Sequence, residues 1–408
     1  MDLSFSGFGT LGYAQSDRPF AYQRFINDQG TFRRDSIAGL QIDGKFAERF
    51  GTTVQIIAAT ASDNDRQYNG SVSWAFVSYR PEDDWLFRVG RQRIPFYLYS
   101  QSYDVGVTHN FARLPTEMYS ISPSNNFDGI SFSRSWEFGS GDFALEGYWG
   151  KSKFKSRYWV RDGMSPVQAP GAVFNAIEFE GGILVLSYKK NEDTFRAGVV
   201  KGMGRMRDGT PIQTRYPFVA VLPGVGYYQV DDSIPGPGVG TVDGIHNTIV
   251  TLGADVHLDA GFRVISEFAR TYVTQPDVDF ANASTRGYAS LLKRFGKWAP
   301  YVTYAFLRSK PSQRDLYVNV NGNRVPDFLP GAALINASQR AGADGILTYD
   351  QSSLTLGISY AFSTTSKVKA ELMRVRVGQV SSMVDGPQGS NIRDQKINVF
   401  SMSYNFVF

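Results

Sequence analysis

The chain has no cysteine in 408 residues and only three histidines, His109, His246 and His257. A cysteine nucleophile, a thiolate metal site and a disulfide framework are therefore excluded, and a cysteine-free chain fits an exported protein. No histidine stands at metal-ligand spacing to another, so no metal or cofactor is expected. The acid clusters Asp63/Asp65 and Asp231-Asp232 lack the pattern of a calcium loop and read as solvated charge. No Gly-x-Ser-x-Gly elbow occurs, and Gly202-Met203-Gly204 lacks the strand–helix context of a phosphate loop. No apolar run approaches the roughly 20 residues that a spanning helix needs. A mean hydropathy of −0.25 likewise excludes a helical membrane protein. Neither charge dominates: 42 basic against 38 acidic residues leave +4, too even for a nucleic-acid partner. Met1-Asp2 leads straight into strand-like sequence, which reads as a mature domain behind an added start Met.

What is present is aromatic residues, glycine and alternation. Phe numbers 30, Tyr 22 and Gly 41, a composition of strands and turns. From Phe400 to Phe408 the even positions are large and apolar, while Ser401, Ser403 and Asn405 are small and polar. One face of that strand is greasy and the other wet. Sixteen such segments are expected, at 3–14, 35–47, 50–61, 71–80, 85–92, 127–136, 142–150, 174–189, 194–201, 247–258, 261–272, 285–295, 298–308, 352–362, 367–375 and 397–408. The connections between them alternate strictly between short and long. This predicts an all-β fold, an antiparallel transmembrane β-barrel of about 16 strands. Short turns face the periplasm and long loops the exterior. The whole chain, 1–408, forms one domain.

Parity then sorts the wall. Val250, Leu252, Ala254, Val256 and Leu258 should meet lipid, as should Leu354, Leu356, Ile358, Tyr360 and Phe362. Lys367, Lys369 and Glu371 should face a wet lumen. Arg374 and Arg376 break the pattern by sharing the lipid parity of Leu372, which places them above the membrane or after a bulge. Gly7, Gly9 and Gly12 in the first strand would allow close packing against a neighbouring copy.

Tyr404, Phe406 and Phe408, at two-residue spacing, resemble the C-terminal signal read by the barrel assembly machinery. Together these features resemble the sixteen-stranded porins of Gram-negative bacteria over the whole chain. The Pro-Glu-Phe-Gly-Gly constriction motif of the enteric subfamily is absent, so enteric-type selectivity is not carried over. The resemblance implies residence in the bacterial outer membrane, with lipid and lipopolysaccharide around a homotrimer. It also implies a third external loop, here about 93–126, folded into the pore.

The root of that loop concentrates charge. Arg88, Arg91, Arg93 and Arg113 stand with His109, Asp104 and Glu117 as candidate constriction residues. Arginine in a confined passage offers a fixed fork of donors for carboxylates, and concentrated positive charge raises the local anion concentration. Such arginines also serve structurally, pairing with nearby acids. Tyr97, Tyr99, Tyr103 and Phe111 read as loop packing. The expected function is a non-enzymatic diffusion channel for small hydrophilic solutes, with a modest preference for anions or small organic acids. Two alternatives remain. One is a barrel whose loops bind a partner. The other is a barrel hydrolase, for which His257 and Asp255 share the lumen face but lack a placed serine.

Overall fold

A computed structural model describes residues 2–121, 126–164 and 168–408. Sixteen antiparallel strands close into one barrel. They are β1 (Asp2–Ser16), β2 (Ile37–Ala47), β3 (Phe50–Thr60), β4 (Tyr68–Tyr79), β5 (Trp85–Arg93), β6 (Asn126–Phe138), β7 (Gly141–Val160) and β8 (Gly171–Lys190). The second half comprises β9 (Asp193–Met206), β10 (Ile245–His257), β11 (Phe262–Val273), β12 (Ser284–Lys293), β13 (Trp298–Ser309), β14 (Tyr349–Ala361), β15 (Ser366–Ser381) and β16 (Lys396–Val407). Each pairs with its sequence neighbours, and β16 closes on β1 with Phe8 opposite Val407 and Ser16 opposite Val399. Gly7 N–H donates to the Phe408 carbonyl at 2.9 Å, and Phe408 N–H returns a bond to Gly7 at 3.0 Å.

Every expected segment falls on one strand. The largest difference is in β7, which runs 20 residues where 142–150 is expected, while β8 is close to its expected span. Apolar alternation ends near Gly150, where lysines begin, but ladder pairing continues to Val160 opposite Gly171. Backbone hydrogen bonds need no lipid, so the hairpin outlasts its hydropathy signal.

The wall sorts as parity predicts. Leu354, Leu356 and Ile358 are exposed outside, while Ser353, Thr355 and Ser359 are buried inside. Leu40, Leu252 and Leu372 are exposed on other strands. An apolar outer surface this extensive suits hydrocarbon. Stacked or tilted rings crowd the short-turn rim: Phe50 lies 4.7 Å from Tyr79, Phe143 4.6 Å from Tyr188 and Trp298 4.5 Å from Tyr360. Such a belt matches a membrane–water interface. Arg374 and Arg376 are exposed outward on an unbroken stretch of β15, opposite Asn398 and Lys396 of β16. No bulge separates them from Leu372. The glycines of β1 have an internal use: Gly7 lies under the Phe408 ring and Gly9 under Phe406, where any Cβ would collide.

The long-loop rim is built rather than irregular. Helices α2 (Pro311–Gly322) and α3 (Ala332–Gly345) occupy the connection between β13 and β14. Pro311 supplies the fixed φ suited to a first helical turn. In α2, Gln313, Tyr317 and Val320 recur at helical spacing and are buried. Between β9 and β10, 212–215 pairs with 240–242 and 218–222 with 225–228. These segments join inward residues of β15 and β16, such as Val375, Val377, Ile397 and Val399, in one apolar core.

Candidate permeation pathway

The passage is defined by where the third long connection lies. β5 ends at Arg93, and Pro95 follows, a residue without the N–H a ladder needs. The chain then folds into the barrel. Tyr97, Phe111, Leu114 and Met118 pack on Ile265, Ala269, Tyr288 and Ala305 of β11–β13. The short helix α1 (Thr116–Tyr119) lies within this packing. Residues 122–125 of the expected loop fall outside the described residues.

Charged wall residues hold the loop in place. Glu267 of β11 accepts from Leu98 N–H at 2.6 Å, the Tyr119 hydroxyl at 2.5 Å and the Tyr288 hydroxyl at 2.8 Å. Glu371 of β15 accepts from the Tyr301 hydroxyl at 2.7 Å and Arg113 N–H at 3.3 Å. Lys369 donates to the carbonyls of Gly106 at 2.6 Å and Phe111 at 2.9 Å. Buried charges tolerate this position because loop donors and acceptors satisfy them.

The sequence-predicted residues separate into groups. Arg93 is buried in an ion pair with Asp104 and donates to Ser73 at 3.1 Å, so this pair fastens the loop root. Arg113 pairs with Asp35 of the first long connection, its Nε 3.0 Å from Oδ1. Burial pushes the Asp35 carboxyl up, but the Arg113 charge and hydrogen bonds, with Arg34, outweigh it and hold the group below the ordinary carboxylate range. His109 is buried, 3.3 Å from Lys369 Nζ. Burial first, then Lys369 and Lys367, hold its imidazole well below the usual histidine range, so it is neutral at pH 7. Glu117 is fully buried and accepts from Gln351 at 2.9 Å. Arg88 lies over the Phe76 ring at 5.3 Å, on the opposite parity to the exposed Phe87 and Val89. Arg91 is not brought to the loop. It shares the parity of Val89 and forms a two-pronged pair with Asp128 across the ladder, at 2.7 and 2.8 Å. Asp255, named with His257 above, is held by Arg263, while His257 lies 3.6 Å from Asp193.

The loop leaves a cavity of about 430 Å³ between itself, β1–β3 and the β7–β8 hairpin. Asp104 and Arg113 line it, but most of its charge comes from residues sequence reasoning missed. Arg24, Arg34, Lys155 and Arg157 join Arg113, against the carboxylates Asp35 and Asp104. Arg24 and Arg157 meet on Asp65, and Arg157 also reaches Asp385 at 2.9 Å. Arg34 differs: its guanidinium donates to Gln23 at 3.0 Å and Ser120 at 3.2 Å, and no described carboxylate pairs with it. The signal that could have found it is the Arg33-Arg34-Asp35 run, which stands in a connection with no periodicity to orient it.

No protein-family model and no curated protein matches the chain. Solved structures do. The anion-selective porin of Comamonas acidovorans superposes with a TM-score of 0.51 at 10% identity, covering 100% of this chain and 99% of that one. OprB of Pseudomonas putida gives 0.53 at 10%, covering 100% and 94%. A loop-deleted OmpT, an outer-membrane protein of Vibrio cholerae, gives 0.54 at 10%, covering 100% and 99%. At such identities the likeness is one of fold. The chain has the closed sixteen-stranded β-barrel fold of bacterial outer-membrane porins.

Proposed function

We propose that the barrel is a passive, water-filled diffusion channel of the outer membrane that favours anions and small organic acids modestly. The observation that carries this reading is the lining beside the third loop, with five cationic side chains against two carboxylates. In a narrow passage local charge outweighs distant charge, because the Debye length at physiological salt is about 8 Å. Most of these cations share their charge with neighbouring aspartates, so the preference is modest. Arg34, without such a partner, contributes most of it. The fold likeness to an anion-selective porin supports the channel architecture and carries no selectivity across. One barrel domain, assembled as a homotrimer, completes the reading.

Reversal potentials in a planar bilayer under a salt gradient test it. Wild-type protein should favour chloride over potassium, and Arg34→Gln should move the reversal potential toward cations. A strong cation preference in the wild type would mean that Asp35 and Asp104 govern the passage, and the anion reading would fall. A barrel that inserts but never conducts would favour a binding role for the loops.

A further inference from the structure

A second cavity of about 320 Å³ lies across the β7–β8 hairpin from the charged passage. The two share Ile121, Ser156, Asn282 and Leu347 as lining, so they adjoin. Their characters differ. The second is walled by rings and branched chains, among them Phe96, Phe154, Tyr158, Ile177, Phe179 and Phe280. Among the described residues its one charged lining residue is Arg286, near the long-loop end of β12.

Arg286 is 3% exposed. Its guanidinium donates to the Tyr97 hydroxyl at 3.1 and 2.8 Å, to Thr271 at 3.0 Å and to Ser284 at 3.2 Å. All three partners are neutral, and no described carboxylate pairs with it. The passage arginines Arg24, Arg113 and Arg157 each have an aspartate. A buried cation satisfied only by hydroxyls keeps its charge uncompensated in apolar surroundings, where an arriving anion gains most. Those bonds use four of its five N–H groups, so a carboxylate meets the fifth or displaces the Tyr97 hydroxyl from the planar edge that suits it. The volume falls within the range of about 300–1,000 Å³ in which small-molecule sites lie.

We infer that this chamber is a binding site for an aromatic monocarboxylate, the carboxylate meeting Arg286 and the ring lying among Phe154, Ile177 and Phe179. The inference rests on the channel reading and names the organic acids it favours. A solute held there sits beside the charged passage, concentrated at the point of entry.

The test is calorimetric titration of the detergent-solubilised, folded barrel with phenylacetate, with acetate and 2-phenylethanol as controls for charge and ring alone. Phenylacetate should bind, with both controls at least about tenfold weaker. Arg286→Gln should bring phenylacetate down to the level of the alcohol. Equal binding of acetate, or unchanged phenylacetate binding to Arg286→Gln, would overturn the inference. Should that variant fail to fold, Ile177→Trp decides the matter. It fills the chamber and leaves the guanidinium, so binding must fall; unaltered binding refutes the site. Bilayer conductance separates the two readings. Anion-preferring current without phenylacetate binding sinks the chamber alone, whereas binding without any current sinks the channel.

Discussion

Single side chains carry distinct duties here, and several can be read apart. Arg91 and Arg34 look equivalent in a list of basic residues, yet one lies on the outer ladder face against Asp128 and the other lines the passage. Arg91→Gln should therefore leave the reversal potential where it is, while Arg34→Gln shifts it, both read in the same bilayer series. Phe408 shows a different division. Its backbone locks to Gly7, its ring covers that glycine, and Phe406 stacks at 6.3 Å. Phe408→Ala should lower barrel yield in cells more than yield on refolding into detergent. The side chain would then serve recognition by the assembly machinery as well as the seam. Equal loss in both settings would leave stability as its whole role.

Among the elements, the third loop is the one whose position decides function. Lys369→Met removes two charge-assisted bonds to loop carbonyls, each worth about 1.5–3 kcal/mol. Amide exchange across 106–111 should accelerate by about tenfold or more, and current noise should rise. Unchanged exchange would assign the loop's hold to its aromatic packing instead. Acid acts through Asp35. Its folded pKa lies below its unfolded value of about 3.9. The Asp35–Arg113 tie is thus fully present above that value and is lost as pH falls through the folded pKa. His109 is held neutral at pH 7, and Asp35 stays ionised down to its ordinary value, so the Asp35–Arg113 tie should be unaltered at any pH above about 3.9. Single-channel records from pH 7 downward check this, with change through Asp35 expected only below about 3.9.

The strands were legible because lipid on one side and water on the other enforce period two, which the order of residues reveals. The loops were not. Arg113 meets Asp35 across 78 residues, and nothing in spacing announces such a pair. The helical stripe of Gln313, Tyr317 and Val320 was present in the sequence. It stood among glycines and prolines that read as irregular chain. The third loop's charges were singled out as a group, but Arg91 stands on the outer ladder against Asp128. Arg93, Asp104 and Arg113 are tied up in ion pairs that hold the loop, because a charge buried inside a barrel needs a partner.

For the whole molecule, the two rims make orientation testable. Seven short turns lie on one side and the helices, hairpin tips and long connections on the other. With no native cysteine, single cysteines at 48–49, 81–84 or 363–366 should resist a membrane-impermeant label on intact cells. Those at 20–30, 210–240 or 315–345 should take it wherever they are exposed. The reverse pattern would invert the barrel.

Each of the first fifteen strand pairings joins elements adjacent in the chain, and the sixteenth joins β16 to β1 from opposite ends of it. The cost of bringing distant segments together is therefore concentrated in one event. A sheet lacking Lys396–Val407 carries two bare edges, along β1 and β15, of the kind that pair with whatever strand is near. A chain stopped short of that point is an open, adhesive sheet rather than a smaller pore. That closing strand thus decides whether the other fifteen are a product or a hazard.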